Sequence, residues 1–478
     1  MKNEEENLPR LLKSIQGKFD EVIVVDTGST DRSKEIAKEF GCSVYEKEWQ
    51  GFADARNYAI SKCSGDWIWH FDADFELEDK EFEKFLDSLR LINKDPSVDS
   101  ITIFVKNFSN FGMISGISSQ AFIHKNRADI YWQGNIHEQL NAKRSILLPV
   151  YINHYGYQDR EIQIQKAFRN KELIQKDLAA AKDKDPKEYL VKLFYMLQTL
   201  SILADVDKKF FKESQYYIQE FLKVKEEFSK NGELRFFIYY PFFYIARLLM
   251  KQNKKKEALE YLNLAIKENF LNADLFYCKT LIEKDLDKEA AKSSFVQACI
   301  LNDKMNKIQD TQVVDNVENI YAFIEHEALE LYDKADIEWL QKEWKKERSS
   351  TLGILVCELV KKYDFAKYEK CIKKLLLRFP NNQWVQAFAL KSYFTTRFAQ
   401  ALPLAKKIVQ TNADHLLANK VLGEYYFRQK EYLQAVQYLK KVVLNLPDRA
   451  AADMLIQALE HLGFEKEVQK FVKKLKKD

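Results

Sequence analysis

The sequence EVIVVDTGSTDRSKEIAKEFG, residues 21–41, decides the fold of the first part of the chain. Residues 22–25 form a continuous apolar run, which is typical of a strand buried on both faces of a parallel sheet. Residues 29–31 are Ser, Thr and Asp, side chains that cap helix N-termini, so we predict a helix that ends before Gly41. A buried strand followed at once by a helix is the unit from which α/β sheets are built.

The same alternation continues on both sides of this stretch. Apolar residues at helical spacing precede it, with Pro9 near the start of the predicted helix and Gly17 after its end. The further predicted elements are a helix at residues 8–15, a strand at 43–46, a helix at 52–63 and a strand at 67–71. Strands and helices in this order predict a doubly wound, Rossmann-like α/β domain.

Length and composition exclude two broad classes of protein. The 478 residues are enough for about two to four domains. Lys and Arg total 75 against 71 Asp and Glu, so the net charge of +4 creates no basic field, and we expect no nucleic-acid partner. A hydrophobic content of 46% with 13% aromatic residues excludes intrinsic disorder.

Targeting signals are not recognisable in the sequence. No apolar run reaches the length of about 18 residues that a membrane helix needs, and the first ten residues, MKNEEENLPR, are acidic where a signal peptide is basic and then apolar. The six cysteines contain no CxxC pair. We therefore expect a cytoplasmic protein with reduced thiols and no integral membrane segment.

Helical repeats follow after about residue 160. A period of about 34 residues, the length of a tetratricopeptide helix pair, is clearest at residues 422–447, LGEYYFRQKEYLQAVQYLKKVVLNLP, which end at Pro447. Small residues recur at one fixed spacing in three places, at Gly423 and Ala435, at Ala246 and Ala258, and at Ala389 and Ala401. Such residues let paired helices approach closely, although a generic helical bundle is the alternative.

These patterns predict the domain organisation. We expect an α/β domain at residues 1–160, a helical linker at residues 161–185 and an all-α, tetratricopeptide-like superhelix at residues 186–478. Residues 303–350 match the repeat poorly and are interpreted as an irregular helix pair or an insertion.

Two carboxylates lie where an α/β sheet places its ligands. Asp72 and Asp74 follow the predicted strand WIWHF, and residues i and i+2 of an extended chain point to the same side. Two convergent carboxylates suit Mn²⁺ or Mg²⁺ when a diphosphate supplies further oxygen ligands. A bare DxD is a weak signal, because most such pairs are solvated turns.

Three segments carry a family resemblance. Residues 21–41, residues 49–74 (WQGFADARNYAISKCSGDWIWHFDAD) and residues 131–140 (YWQGNIHEQL) resemble the family 2 glycosyltransferases of GT-A fold. They resemble in particular the bacterial subgroup with C-terminal tetratricopeptide repeats, including the bacteriocin S-glycosyltransferases. The first two segments also resemble the lipopolysaccharide-core glucosyltransferases. Specific motifs carry the resemblance over about residues 2–160. For the repeats, the resemblance rests only on the domain architecture.

The resemblance implies a nucleotide-sugar site. It assigns Asp26 to the nucleobase and Arg56 to the nucleotide phosphates, for which a guanidinium is also chemically suited. A turn or N-cap role is the alternative for Asp26, and a surface ion pair is the alternative for Arg56. The full set of implied nucleotide-sugar-binding residues is Asn3, Glu4, Asp26, Arg56 and Asp72.

The resemblance also implies catalytic and metal-binding residues. Glu138 is the preferred general base that deprotonates the acceptor, and His137 is the alternative base or a ligand. A buried histidine beside a surface glutamate is the competing interpretation. The implied metal ligands are Asp72, Asp74 and His154. We expect two other histidines, His70 and His124, to be packed inside strands.

The sequence departs from the family pattern in two places. Relatives have a glutamate directly after the second aspartate, whereas this chain has Phe75 there and Glu76 one position later. Relatives also have an apolar first strand before the segment that begins here at Lys2. We therefore expect either a start assigned too late or a domain whose central strand is missing, which would leave two neighbouring strands unpaired.

The expected function is a metal-dependent, inverting glycosyltransferase. It would move a hexose from a nucleotide diphosphate sugar, with uridine as the expected nucleoside, to a protein, peptide or glycan. Residues 107–119 are a candidate mobile loop over this site. The repeats would hold a macromolecular acceptor or a second copy of the chain. The alternative is a tetratricopeptide scaffold with a catalytically silent transferase domain.

Overall fold

A computed structural model describes most of the chain. The described residues are 1–108, 114–136, 138–155, 160–228, 234–268, 271–305, 317–396, 398–445 and 448–469. The chain divides into two compact units. The first contains Met1–Asn107 and Gly116–Asn316, and the second contains Phe108–Ser115 and Val317–Asp478.

The first unit begins with alternating helices and strands. In chain order they are α1 (Leu8–Ile15), β1 (Ile23–Asp26), α2 (Ser33–Glu39), β2 (Ser43–Glu46), α3 (Phe52–Ile60), β3 (Trp67–Trp69), β4 (Phe75–Glu76), α4 (Asp79–Ile92), β5 (Ser100–Phe108), β6 (Ile114–Lys125), β7 (Trp132–Gln133), β8 (Gln139–Leu140) and β9 (Ser145–His154). The six elements predicted between residues 8 and 71 all form, with their ends displaced by a few residues. The α/β class of this region is confirmed.

The strands pair in three sheets. β1 and β2 are parallel, with Val24 opposite Val44. A five-stranded mixed sheet has the order β3-β6-β5-β9-β4, and β7 pairs with β8 alone. The outer edge of β1 is bonded to Met1, whose amino group donates to the Val25 carbonyl at 2.7 Å. Within the described residues, β1 and β3 therefore belong to different sheets.

Helix α1 shows why the sequence folds this way. Its buried side chains are those of the predicted apolar face, Leu8, Leu11, Leu12 and Ile15. Pro9 lies in the first turn, where its missing N–H costs no hydrogen bond, and Gly17 after the helix has φ +73°. Each buried Leu or Ile contributes about 1.5–3 kcal/mol, so this face fixes α1 to the core of the α/β region.

Part of the predicted mobile loop is strand. The prediction of a loop over residues 107–119 is wrong at both ends, because β5 extends to Phe108 and β6 begins at Ile114. Gly and Ser residues in this segment suggested a loop, but pairing within the five-stranded sheet overrides that local preference. Residues 109–113 lie outside the described part of the chain.

The first unit continues as helices. They are α5 (Arg160–Ala181), α6 (Pro186–Leu203), α7 (Lys209–Lys225), α8 (Arg235–Tyr239), α9 (Pro241–Lys251), α10 (Lys255–Lys267), α11 (Ala273–Glu283) and α12 (Lys288–Met305), with a 3-10 turn at Glu226–Phe228. Ala246 of α9 and Ala258 of α10 are fully buried, as the small-residue spacing predicts. Ile136, from the β7–β8 turn, is buried in the same apolar core as these helices.

The second unit is helical throughout its described residues from 317 onward. Its helices are α13 (Val317–His326), α14 (Ala328–Leu331), α15 (Asp336–Glu347), α16 (Ser350–Tyr363), α17 (Phe365–Arg378), α18 (Gln383–Thr396), α19 (Phe398–Thr411), α20 (Leu416–Arg428), α21 (Tyr432–Asn445) and α22 (Arg449–His461). A Cβ added to Gly423 would lie 2.6 Å from the Leu439 side chain, so α20 and α21 touch there. The prediction of tetratricopeptide-like helix pairs is confirmed, while Pro447 lies outside the described residues.

Among the helices that the structure describes, none combines the length and the apolar character that a transmembrane span needs.

Candidate active site

A cleft opens at the carboxyl ends of β1 and β2. Its volume is about 490 Å³. The lining residues come from the ends of both strands and the segments that follow them: Asp26, Thr27, Gly28, Glu46, Lys47, Glu48 and Trp49. Open α/β sheets bind their ligands at this edge. The cleft therefore lies where the sequence predicts a nucleotide.

Asp26 lies at the bottom of this edge and is buried. Its carboxylate accepts hydrogen bonds from the backbone N–H groups of Gly28 at 3.1 Å and Ser29 at 3.0 Å, and from the Ser29 hydroxyl. Burial by itself would raise the pKa of Asp26, but these hydrogen bonds outweigh it and hold the pKa below its usual value. The carboxylate is thus ionised and shapes the turn after β1, the alternative role for this residue.

Asn3 and Glu4 bind the same turn rather than projecting freely. The Asn3 side-chain oxygen accepts from the Thr30 N–H at 2.8 Å, and the Glu4 N–H donates to the Ser33 hydroxyl at 2.7 Å. Burial raises the pKa of Glu4, and a hydrogen bond from Asn7 acts in the opposite direction. Both residues therefore brace the segment between β1 and α2 beside the cleft.

Arg56 joins two predicted site residues from distant parts of the chain. Its Nη2 donates to Asp72 Oδ1 at 2.9 Å, and its Nε donates to Glu138 Oε1 at 2.7 Å. The guanidinium also lies 4.9 Å from the ring centre of Trp132. The Arg56 side chain is 14% exposed, that of Glu138 is 11% exposed and that of Asp72 is 46% exposed. The ion pair that was the alternative for Arg56 is present, and its Glu138 side is largely buried whereas its Asp72 side is half exposed.

Opposing effects act on the Arg56 guanidinium. Burial alone would lower its pKa, but the charges of Asp72 and Glu138 and their hydrogen bonds raise the pKa above its ordinary value. Arg56 therefore stays protonated. One fixed positive charge between two carboxylates leaves this group with a net negative charge, which suits a cation.

The DxD segment differs from its prediction. β3 ends at Trp69, so Asp72 lies in the loop after the strand and Asp74 lies in the turn that leads into β4. The reason is local, since the Phe75 N–H donates to the Asp72 carbonyl at 3.0 Å and closes a turn that bends the chain away from an extended path. The two carboxylates bind different partners, Asp72 with Arg56 and Asp74 with His154.

Asp74 and His154 lie together across the sheet. Pairing of β4 with β9 sets Phe75 opposite His154, and His154 Nε2 lies 3.3 Å from Asp74 Oδ2. Burial would raise the pKa of Asp74, but His154 and the charge of Lys166 outweigh it, so the pKa is lowered. The other His154 nitrogen is 2.7 Å from Asn107 Oδ1, which orients the ring.

These donors fit a divalent cation in part. Within the described ranges, no group of three or more His, Cys, Asp or Glu side chains has the geometry of a complete metal site. Mg²⁺ and Mn²⁺ nevertheless often bind through one or two protein carboxylates, with phosphate and water as the other ligands. Asp74 supplies one such carboxylate with the His154 ring beside it, and Asp72, whose Oδ1 accepts from Arg56, is 46% exposed.

Three aromatic residues that the sequence did not assign to the site lie behind Arg56. His70 Nε2 is 2.9 Å from His124 Nε2, and the Trp132 indole N–H donates to His70 at 3.1 Å. Both histidines are buried, as predicted, and burial lowers the pKa of each. His137 lies outside the described residues.

Sequence reasoning also missed Asn57. Its amide oxygen accepts from the Trp132 N–H at 2.8 Å and its amide nitrogen donates to the Trp132 carbonyl at 2.9 Å, which ties α3 to β7. The only signal was its position next to Arg56 in the ADARN motif. Asn57 thereby places Arg56 and the strand before Glu138 in a fixed relation.

Residues 1–163 match the family model described as glycosyl transferase family 2. The N-terminal part of this chain is a family 2 glycosyltransferase domain. A "TPR repeat-containing protein" of Synechococcus elongatus is 33% identical over 194 residues, which cover 37% of this chain and 46% of that protein. An "uncharacterized glycosyltransferase" of Rickettsia typhi is 45% identical over 76 residues, which cover 16% of this chain and 26% of that protein. The alignments thus span less than half of these relatives.

Two longer alignments have lower identity. The glycosyltransferase SunS of Bacillus subtilis is 23% identical over 324 residues, 65% of this chain and 72% of SunS. A crystal structure of TarS from S. aureus is 15% identical with a TM-score of 0.25, and covers 62% of this chain and 52% of TarS. A score of this size does not establish that the two whole chains superpose.

Proposed function

We propose that this protein transfers a hexose from a nucleotide diphosphate sugar to a protein, peptide or glycan, with inversion at the anomeric carbon. The observation that carries the proposal is the Arg56 network. It links Asp72, the first aspartate of the DxD segment, to Glu138, the candidate base for the acceptor.

The donor would bind in the cleft at the ends of β1 and β2. Trp49 offers an aromatic surface for a base, Lys47 a cation for phosphate, and Asp26 an ionised carboxylate at its floor. Uridine diphosphate sugars are the first donors to test. Arg56 would bind the diphosphate by exchanging one of its carboxylate partners for a phosphate oxygen, a trade between equivalent charge-assisted hydrogen bonds.

Asp74, His154 and Asp72 would hold Mn²⁺ or Mg²⁺. Such an ion, when bound, neutralises charge on a departing diphosphate. The lowered pKa of Asp74 keeps its oxygens unprotonated at neutral pH, as a ligand requires. The bond from His154 to Asn107 holds the ring in one orientation.

Glu138 would accept the proton of the acceptor nucleophile. Its Oε1 is held by Arg56, which fixes the direction of the carboxylate. His137 is the alternative base. The helical repeats would bind the acceptor, or a second copy of the chain in a homodimer, and we place the protein in the cytoplasm without a nucleic-acid partner. We propose the limits 1–160 for the glycosyltransferase domain, 161–185 for the helical linker and 186–478 for the repeats.

A silent transferase domain on a helical scaffold is the competing function. The observation that favours it is that Arg56 already pairs with both Asp72 and Glu138, so the site has internal partners without any ligand. In the proposed mode of donor binding, Arg56 exchanges one of these contacts for a phosphate oxygen.

The deciding experiment is a donor screen with the whole chain. Purified protein is incubated with several uridine diphosphate sugars, with and without Mn²⁺, and released uridine diphosphate is measured. We expect metal-stimulated release that is lost in Asp74→Asn and kept in Asp87→Asn, which changes an exposed carboxylate on α4. If the protein binds no donor and releases no uridine diphosphate, the transferase function is refuted and the scaffold function remains.

A further inference from the structure

The turn before Glu138 is embedded among helices. Residues 134–136 follow β7 in the connection to β8, and Ile136 is only 4% exposed, in the apolar core of the helical part. Gly134 has φ +91°, and a Cβ there would lie 3.4 Å from the Lys192 ammonium on α6. The turn therefore contacts helices beyond residue 163, where the family match ends.

Two buried, oppositely charged side chains hold this turn. Asp177 on α5 accepts from the Asn135 side-chain amide at 2.6 Å and from the Asn135 N–H at 3.3 Å. Lys192 on α6 donates to the Ile136 carbonyl at 2.9 Å and lies 3.1 Å from Asp177 Oδ2. The side chain of Lys192 is 3% exposed and that of Asp177 is 8% exposed.

Stability alone is a poor explanation for this pair. Moving two charges out of water costs several kcal/mol each, and well-packed apolar residues often serve a core as well or better. Here the charges satisfy an N–H and a carbonyl of one particular turn, which apolar residues could not do. The pair therefore specifies where the backbone of residues 135 and 136 lies.

The same turn is tied to the helix that carries Arg56. The Phe52 N–H, at the start of α3, donates to the Asn135 carbonyl at 3.3 Å. Four residues later Arg56 reaches Glu138 at 2.7 Å. Contacts therefore run without a break from α5 and α6 through the turn to α3, and the hydrogen bond between Arg56 and Glu138 is one of them.

We infer that Asp177 and Lys192 are positioning residues for the transferase site. They touch neither donor nor acceptor; they act through Asn135 and Ile136 to set the place and direction of the Glu138 carboxylate. This inference rests on the proposed function, because it matters for turnover only if Glu138 is the base. It makes the first two helices after the glycosyltransferase domain part of the active site.

The test removes both charges together in the full-length protein. Lys192→Met with Asp177→Asn keeps the side-chain sizes and leaves no uncompensated buried charge, because Glu188, the other carboxylate beside Lys192 at 3.2 Å, is 38% exposed. The matched control is Lys251→Met with Asp205→Asn, because Lys251 also donates to a helix carbonyl, that of Ser201, and pairs with an aspartate, Asp205, but elsewhere in the helices. Hydrogen exchange of amides 133–140, and kcat and KM with a uridine diphosphate sugar, are measured on each protein.

We expect faster exchange at the turn and a fall in kcat of about 100-fold in the double variant, with the donor KM changed by less than about 3-fold. A merely structural pair would not separate kcat from KM in this way. The control should change neither quantity. A folded double variant with wild-type exchange and wild-type kcat overturns the inference.

Two further outcomes distinguish a failure of this inference from a failure of the proposed function. If the wild-type chain turns over no donor, the proposed function fails, while exchange at residues 133–140 still decides whether the pair holds the turn. If the double variant does not fold, Asn135→Ala replaces it, since this change removes only the amide bonded to Asp177. Unchanged exchange and kcat in Asn135→Ala would then overturn the inference.

Discussion

Removing Arg56 should reveal how strongly the site is held together. In Arg56→Met, the Glu138 carboxylate, 11% exposed, loses a hydrogen bond to a charged partner, worth about 1.5–3 kcal/mol. Asp72 is 46% exposed, so water replaces its bond at a cost of about 0–1 kcal/mol. We therefore expect the free energy of unfolding to fall by about 1.5–4 kcal/mol.

A double-mutant cycle isolates the contact itself. Arg56→Met, Glu138→Gln and the double variant are unfolded with urea, followed by the fluorescence of the tryptophans, and the coupling energy between positions 56 and 138 is expected to be about 1–3 kcal/mol. The control cycle uses Arg90 and Asp87, whose side chains are 77% and 76% exposed and should couple by less than about 0.5 kcal/mol. Equal coupling in the two cycles would refute the buried Arg56–Glu138 contact.

Three other changes have defined outcomes. Glu138→Gln should lower transfer about 100-fold while calorimetry shows unchanged donor affinity, and near-normal transfer would move the base elsewhere. His415, buried at the start of α20, accepts from the Ala418 N–H, and burial lowers its pKa to about 4, below the 6.5 of an unfolded chain. The contribution of His415 to the free energy of unfolding should therefore be complete above about pH 6.5 and fall by up to about 3 kcal/mol as the pH drops to about 4. His415→Asn, which keeps the cap, should reduce this pH dependence, as measured by thermal unfolding at several pH values. Gly423→Ala should destabilise the second unit by about 1–3 kcal/mol, because the new methyl group meets Leu439 at 2.6 Å, and an unchanged urea midpoint would mean that the helices separate freely.

Periodicity was a sufficient guide to the six elements between residues 8 and 71 and to the small-residue contacts between helices. The apolar face of α1 and the Gly423 contact follow from spacing alone, because both depend on which residues share a face of a helix. The end of β3 did not follow, since the turn at Asp72 depends on a backbone hydrogen bond that competes with the strand.

The residues of the candidate site were easier to predict than their partners. Arg56 and Glu138 are 82 positions apart, and only the packing of α3 against β7 brings them together. Lys192 and Asp177 gave no signal at all, because a Lys or Asp within a helical pattern usually lies on a solvated face. Their role appears only when the β7–β8 turn is seen among the helices.

Ile136 has a consequence for how such chains can be recombined. A chimera that joined residues 1–163 to an unrelated helical array would leave behind most of the apolar core in which Ile136 is buried, because that core extends from α5 to α11. A graft must therefore extend beyond residue 163 into the helices that share this core. The part of the chain that has to be moved together is longer than residues 1–163, the part that the family model matches.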